Sequence, residues 1–168
     1  MSVRLTTSPE EYLSTSYPDL DRDYVRGEVI ERTMPTWSHA EFQMLLGGFF
    51  LPLRQSHRLF VTAELRLRIA PDLFRIPDLC VFAEQKPTQQ VPATPPLVVL
   101  KILSPDDRMG AVFAKLAEFE GFGVQHIWLV NPMQRTFAIY RKGSLIVVPT
   151  YELHGYPLTI SAAELFAQ

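Results

Sequence analysis

Phe74-Arg75-Ile76-Pro77-Asp78-Leu79-Cys80-Val81-Phe82 decides how this chain is read. Apolar residues surround one acid, and that acid follows a proline. After a proline-rich gap comes a second apolar run, Leu97-Val98-Val99-Leu100-Lys101-Ile102-Leu103, with one charge of its own, Lys101. Both runs read as core strands. Ionisable groups on two neighbouring core strands are costly unless they are paired, hydrated or metal-bound. Asp78 and Lys101 therefore mark a candidate site.

The bulk properties narrow the field. A chain of 168 residues is long enough for a substantial core, and a single domain over residues 1–168 is expected. The 47% apolar content, 20% charged content and net charge of -2 fit a soluble globular protein. They exclude a globally basic nucleic-acid binder, so any DNA binding must rest on a local patch. The single cysteine, Cys80, excludes an internal disulfide framework and fits a reducing cytoplasm, the expected location. Met1-Ser2-Val3-Arg4 has no apolar leader character, and no apolar window is long enough to span a membrane. Gln85 to Pro96, with four prolines and two adjacent glutamines, reads as an exposed loop.

Along the chain, Ser8-Pro9-Glu10-Glu11 is a capped helix start, closed by the turn Tyr17-Pro18-Asp19. Tyr24 to Arg32 alternates as a strand, with Gly27 marking a bulge. Ser38 and Glu41 have capping-box spacing ahead of a helix that carries Phe42, Leu45, Leu46, Phe49 and Phe50 and stops at Pro52. Leu59 to Ile69 reads as one half-buried strand with Glu64 on its polar face. Ser104-Pro105-Asp106-Asp107 reads as a second capped start, leading a helix to Phe122 with Val112, Leu116 and Phe119 on its stripe. That helix joins the Lys101 strand to Val124–Val130, a βαβ unit and hence a parallel pair. Thr136–Tyr140 and Leu145–Val148 form a hairpin, and a short helix from Ser161 ends the chain. The expected fold is α/β, a mixed sheet flanked by helices.

A Pro-Asp strand, a strand running into Leu103-Ser104-Pro105, a helix bearing Lys115, and Gly123-Val124-Gln125-His126-Ile127-Trp128-Leu129-Val130-Asn131-Pro132 follow one another in that order. This order resembles the Uma-type restriction endonuclease family of bacteria, within the PD-(D/E)XK nuclease superfamily. The resemblance runs from about Tyr24 to Tyr140. It implies a restriction-endonuclease-like fold, hydrolysis of DNA phosphodiesters, and Mg²⁺ or Mn²⁺ as cofactor. Asp78 matches the family's metal-binding aspartate, and Glu64 an acid often present on the preceding strand, a second metal ligand. Lys115 matches the lysine of the crossover helix, Gly27-Glu28 a Gly-Glu pair on the first strand, and Ser38-His39 the entry to the long helix. A homodimer is expected as well, because relatives pair to cut both strands, the usual pairing is two-fold, and the chain carries 11 Phe, 6 Tyr and 2 Trp.

Two positions depart from the family pattern. Lys101 stands where the family has Glu, and Asn131 where it has Asp. The first matters more, because it puts a cation where the metal belongs. Mg²⁺ prefers carboxylate oxygens. At about 4 Å and an effective dielectric near 20, each unit-charge pair is worth roughly 4 kcal/mol. Residue type alone leaves other readings open. Asp78 is also a turn former after proline. Lys101 is also a snorkelling side chain or an ion-pair partner of Asp78. Glu28 and His39 also suit solvated positions, and Lys115 suits the flank of an apolar stripe. Trp37 and Trp128 read as core or interface residues. Two functions follow: a metal-dependent endonuclease using Asp78, Glu64 and Lys115, or a non-catalytic relative in which Lys101 has closed the metal site and the fold serves binding or assembly. Lys101 within hydrogen-bond reach of Asp78 favours the second. Lys101 turned away, with Glu64 converging on Asp78, favours the first.

Overall fold

The structure is a computed structural model and describes residues 6–168. Met1 to Arg4, where no leader was read, lie outside the described residues. Two faces of one sheet organise the molecule. Strands β3 (Leu59–Ala63), β6 (Leu79–Ala83), β7 (Val98–Ile102), β8 (His126–Asn131), β9 (Thr136–Arg141) and β10 (Ser144–Val148) form a six-stranded sheet in the order β10-β9-β8-β7-β6-β3. The β7–β8 pair is parallel and its neighbours are antiparallel, so the sheet is mixed. The expected α/β architecture is observed.

Strand alternation sends successive side chains to opposite faces. Leu79, Val81, Leu100 and Ile102 meet helix α2 (Trp37–Phe50) through Leu46 and Phe50 on one side. Cys80, Val99, Ile127 and Leu129 meet helix α4 (Met109–Phe122) through Val112, Leu116 and Phe119 on the other. Tyr151 stacks on Trp128 at 4.4 Å and on Phe137 at 4.2 Å, and its hydroxyl donates to the carbonyls of Leu129 and Ala138. Trp128 is thus a core residue, whereas Trp37 is 83% exposed.

A second sheet, in the order β2-β1-β5-β4, comprises β1 (Asp23–Val25), β2 (Glu28–Ile30), β4 (Leu67–Ala70) and β5 (Leu73–Arg75). It corrects three readings. Tyr24 to Arg32 is a tight hairpin rather than one bulged strand. Arg26 and Gly27, with φ of 47° and 93°, form its two-residue turn. Leu59 to Ile69 is two strands in two sheets, because the chain turns at Glu64, whose φ is 55°. Phe74 to Phe82 is also divided. Pro77 has no N–H to continue a ladder, so β5 ends before it and β6 begins after it, in the other sheet.

Both helix starts also differ from the expected caps. Thr36, not Ser38, caps α2 by accepting from the His39 N–H at 3.3 Å. Helix α4 begins at Met109 because Pro105 to Asp107 closes a turn on Ser104. Helix α1 (Pro9–Ser14) does start at the Ser8 cap, and α5 (Ala162–Leu165) follows Ser161. A short helix α3 (Leu53–Ser56) follows Pro52, and β11 (Thr150–Glu152) pairs with β12 (Thr159–Ser161).

Cys80 faces α4 at 1% exposure, and burial pushes its thiol pKa up to about 12 despite the hydroxyl of Thr62. A thiol held protonated and buried does not react. Native protein at pH 8 should leave Cys80 unlabelled by a thiol reagent, and unfolding in denaturant should give one label per chain. Rapid labelling of the native protein would contradict this packing.

Candidate functional site

Where the two sheets meet, a cavity of about 600 Å³ opens beside the N-terminal half of α4. Asp78 sits on its floor, 3% exposed, in the Ile76-Pro77-Asp78 link between β5 and β6. The β6–β7 ladder stops at Leu79 opposite Leu100. Beyond it, Pro77 and Asp78 present side chains in place of a paired backbone. The Ile102 N–H accordingly donates to Asp78 Oδ2 at 2.6 Å.

Three cationic or imidazole groups surround the same carboxylate. Lys101 Nζ lies 3.5 Å from Oδ2, while His39 Nε2 and Arg32 Nη2 lie 3.4 and 3.5 Å from Oδ1. Lys101 also reaches Asp107 Oδ2 at 3.0 Å, and Asp107 in turn accepts from the Ser104 N–H at 2.8 Å. Arg32 bridges to Glu64 on the far side. Gln43 donates to Glu64 Oε1 at 3.1 Å and to the Asp78 carbonyl at 2.7 Å, locking the turn at Glu64 against the Asp78 link. The charges therefore alternate along a chain: Glu64, Arg32, Asp78, Lys101, Asp107.

Lys115 belongs to a second, adjoining network. Its ammonium donates to Asp23 Oδ2 at 2.9 Å and to the Ile76 carbonyl at 2.8 Å. Arg75 reaches Asp23 at 3.2 Å and also Glu118. The Ile76 N–H donates to Asp23 Oδ1 at 2.9 Å. This network clamps the residue two positions before Asp78 to α4 and to the first hairpin.

Of the residues singled out in the sequence, Asp78, Lys101, Glu64, His39 and Lys115 all line the cavity. Glu28 stands exposed at the start of β2 and does not line it. His39, far from being a surface residue, is 5% exposed, and its Nδ1 is buried without a hydrogen-bond partner among the described residues. Arg32, Gln43, Asp107, Asp23 and Arg75 complete the site and went unmarked in the sequence. Their partners are far along the chain, Asp23 and Lys115 by 92 positions and Arg32 and Asp78 by 46. Only Asp107 carried a signal, as an acid just after the Lys101 strand.

The electrostatics follow from the pairing. Burial alone would raise the Asp78 pKa, but the Lys101 charge, the His39 contact and the Ile102 N–H outweigh it and hold the carboxyl well below its ordinary range. Asp23 is likewise held down, by Lys115 and Arg75 against its burial. The Lys101 pKa is raised, because Asp78 and Asp107 outweigh the burial that would lower it. A divalent ion finds a poor set of donors in this arrangement. Among the described residues no three His, Cys, Asp or Glu side chains converge as ligands. Lys101 and Arg32 already hold the Asp78 and Glu64 carboxylates. Hard cations need several oxygen ligands, and the residues present do not fit one.

A family model, Uma2, described as "Putative restriction endonuclease", matches residues 9–167. Among solved structures, one titled as a putative nuclease belonging to DUF820 from Anabaena variabilis is similar, with a TM-score of 0.81 and 22% identity, over 96% of this chain and 98% of that one. At that identity the likeness shows the fold. No curated protein matches the chain.

Removing the Asp78 charge should expose its role. A depressed carboxyl pKa gives stability that is present above the unfolded value of 3.8 and is lost as pH falls through the lower folded value. Thermal melts should be flat from pH 7 to about 5 and drop below about 4. Asp78→Asn should cost roughly 3–5 kcal/mol at pH 7, as expected for a broken buried pair, and show a shallower acid drop. Superimposable pH profiles for wild type and variant would sink the assignment.

Proposed function

The chain belongs to the Uma2 family, and from that premise we propose that it is a DNA-directed nuclease-fold protein whose divalent-metal step is suppressed by Lys101. Family and fold support a nuclease role. The observation that carries the finer reading is the Lys101 ammonium, 3.5 Å from Asp78 and 3.0 Å from Asp107. It supplies, as a fixed charge, the counter-ion that a metal would otherwise provide. In this superfamily a bound divalent ion polarises the phosphate and generates hydroxide. Here the chain's own residues bind and orient. Arg108 is exposed at the cavity rim, and in this reading it would meet a phosphate of the DNA backbone. Arg32 and Lys101, on the floor, are neutralised by their carboxylates. Such binding is electrostatic and weakens with salt. The protein works as a homodimer in this reading, since a duplex presents two strands related by a two-fold axis.

The comparison that tests this is wild type against Lys101→Glu, each titrated calorimetrically with Mn²⁺ and assayed on plasmid and single-stranded DNA. Wild type should bind Mn²⁺ more weakly than about 1 mM, the weak end of protein sites for divalent ions. The variant should gain at least about tenfold, or ~1.4 kcal/mol, because it removes the competing charge and adds oxygens beside Asp78 and Asp107. Equal affinities in the two proteins would defeat the reading. Wild-type cleavage that the substitution abolishes would instead make Lys101 a catalytic group.

A further inference from the structure

The cavity beside α4 is charged, but its charges are already balanced. Six carboxylates and five Lys or Arg side chains line it, so an anion entering would meet a net negative wall. The five-charge chain and the Asp23 network account for all of these groups except three. Glu31 pairs with Arg22 at 3.3 Å, and Asp106 and Arg108 have no partner among the described residues. Both stand exposed at the mouth, on the connection from β7 to α4. Exposed Thr33 and Pro35 bring a second segment to the mouth, the one running from β2 to α2. Inside, Leu20, Pro77 and Val112 supply apolar wall. Ser104 lines the cavity and is 4% exposed. Its N–H donates to Asp107 and its carbonyl accepts from the Asp107 N–H at 3.0 Å. Its hydroxyl has no partner among the described residues and, unlike His39 Nδ1, is not sealed among packed atoms. It opens on the cavity, where it can both donate and accept. The Lys101 ammonium has three donors and meets two carboxylates, which leaves one more.

We propose that this cavity takes an unpaired nucleobase, with the sugar and phosphate held outside. This rests on the nucleic-acid reading above and names what enters the site. A base is neutral, apolar on its faces, and carries donors and acceptors on its edge. It suits a cavity whose charges are satisfied, whose walls are apolar, and whose free groups are one hydroxyl and one ammonium proton. A phosphate does not suit that interior, but it suits Arg108 at the mouth. A volume of about 600 Å³ lies within the range of small-ligand sites. A base in a duplex reaches such a site only by leaving the stack. A free nucleotide carries the same chemistry, but Trp37 favours a strand as the source. Trp37 is 83% exposed and lies outside the cavity, two positions from Pro35 and from His39, which both line it. Its ring is free to stack on a neighbouring base, and only a strand presents that neighbour.

The test mixes the full chain, without divalent ions, with short mixed-sequence DNA carrying the base analogue 2-aminopurine, whose emission rises when it leaves the stack. The analogue sits in a single strand, in a matched duplex, or opposite a mismatched base, and the anisotropy of a fluorescein tag reports binding. Emission should rise severalfold on binding. The single strand and the mismatched duplex should bind at least about tenfold tighter than the matched duplex, because less pairing is lost. Ala111→Trp, at an exposed position of α4 that lines the cavity, fills the space and should abolish the rise with an unchanged far-UV spectrum. Ser104→Ala should weaken binding of the single strand about three- to tenfold, as for one hydrogen bond, at an unchanged melting temperature. DNA bound with flat emission, or a rise that survives Ala111→Trp, would overturn base entry and leave the nucleic-acid reading standing. No binding of any of the DNAs would overturn both. Deoxyadenosine monophosphate bound as tightly as the single strand would keep the base in the cavity and overturn the strand as its source.

Discussion

The Asp78 carboxylate is the constraint on which the site and its surroundings depend. It is buried at the point where the chain passes from one sheet to the other, and an isolated ion there would be prohibitively costly. The fold answers with one backbone N–H, one imidazole and two cations. Each cation then needs a second acid, Glu64 for Arg32 and Asp107 for Lys101. One buried charge has propagated into a chain of five. A broken buried pair costs roughly 3–5 kcal/mol, whereas replacing a whole pair by apolar groups can be neutral. The network is therefore poor evidence of net stability and good evidence of a fixed geometry.

That geometry is carried by the backbone. Pro77 ends one ladder, and the Asp78 side chain takes up the N–H that an uninterrupted strand would have paired. Gln43 pins the Asp78 carbonyl and Glu64 together from α2, while Lys115 pins the Ile76 carbonyl from α4. Helices on both faces of the sheet thus reach the same three-residue link, one from each side. Small shifts of either helix would reach the carboxylate directly, because packed interiors transmit displacement rather than absorb it.

The sequence disclosed the parts that rest on local period and order. The βαβ unit, the hairpin near the C-terminus, and the two core faces follow from alternation and helical spacing along single segments. Asp78 and Lys101 stood out because charge interrupts two apolar runs. The two-sheet division did not show, since Leu59 to Ile69 keeps its alternation across the break, Phe74 to Phe82 is a nearly continuous apolar run, and neither pattern says which sheet a strand joins. The break at Glu64 depends on a positive φ in a residue that rarely adopts one. Asp23, Arg32 and Arg75 were invisible for a different reason: their roles exist only through partners brought together by the tertiary fold.

In the proposed reading, charge balance also lets Lys101 stand where the family pattern has an acid without wrecking the fold. A carboxylate at that position would leave it, Asp78 and Asp107 mutually repelling, with Arg32 as the remaining cation and the His39 ring beside it. Such a cluster is stable only when a cation fills it, so its folding and its metal affinity are one linked quantity. Lysine breaks that link by carrying the cation covalently. Its contact to Asp107, shorter than that to Asp78, places the ammonium between the two acids rather than on one of them. The position that would recruit a metal is the position where an ammonium best relieves the same repulsion. In the proposed reading, one substitution therefore both displaces the ion and keeps the architecture.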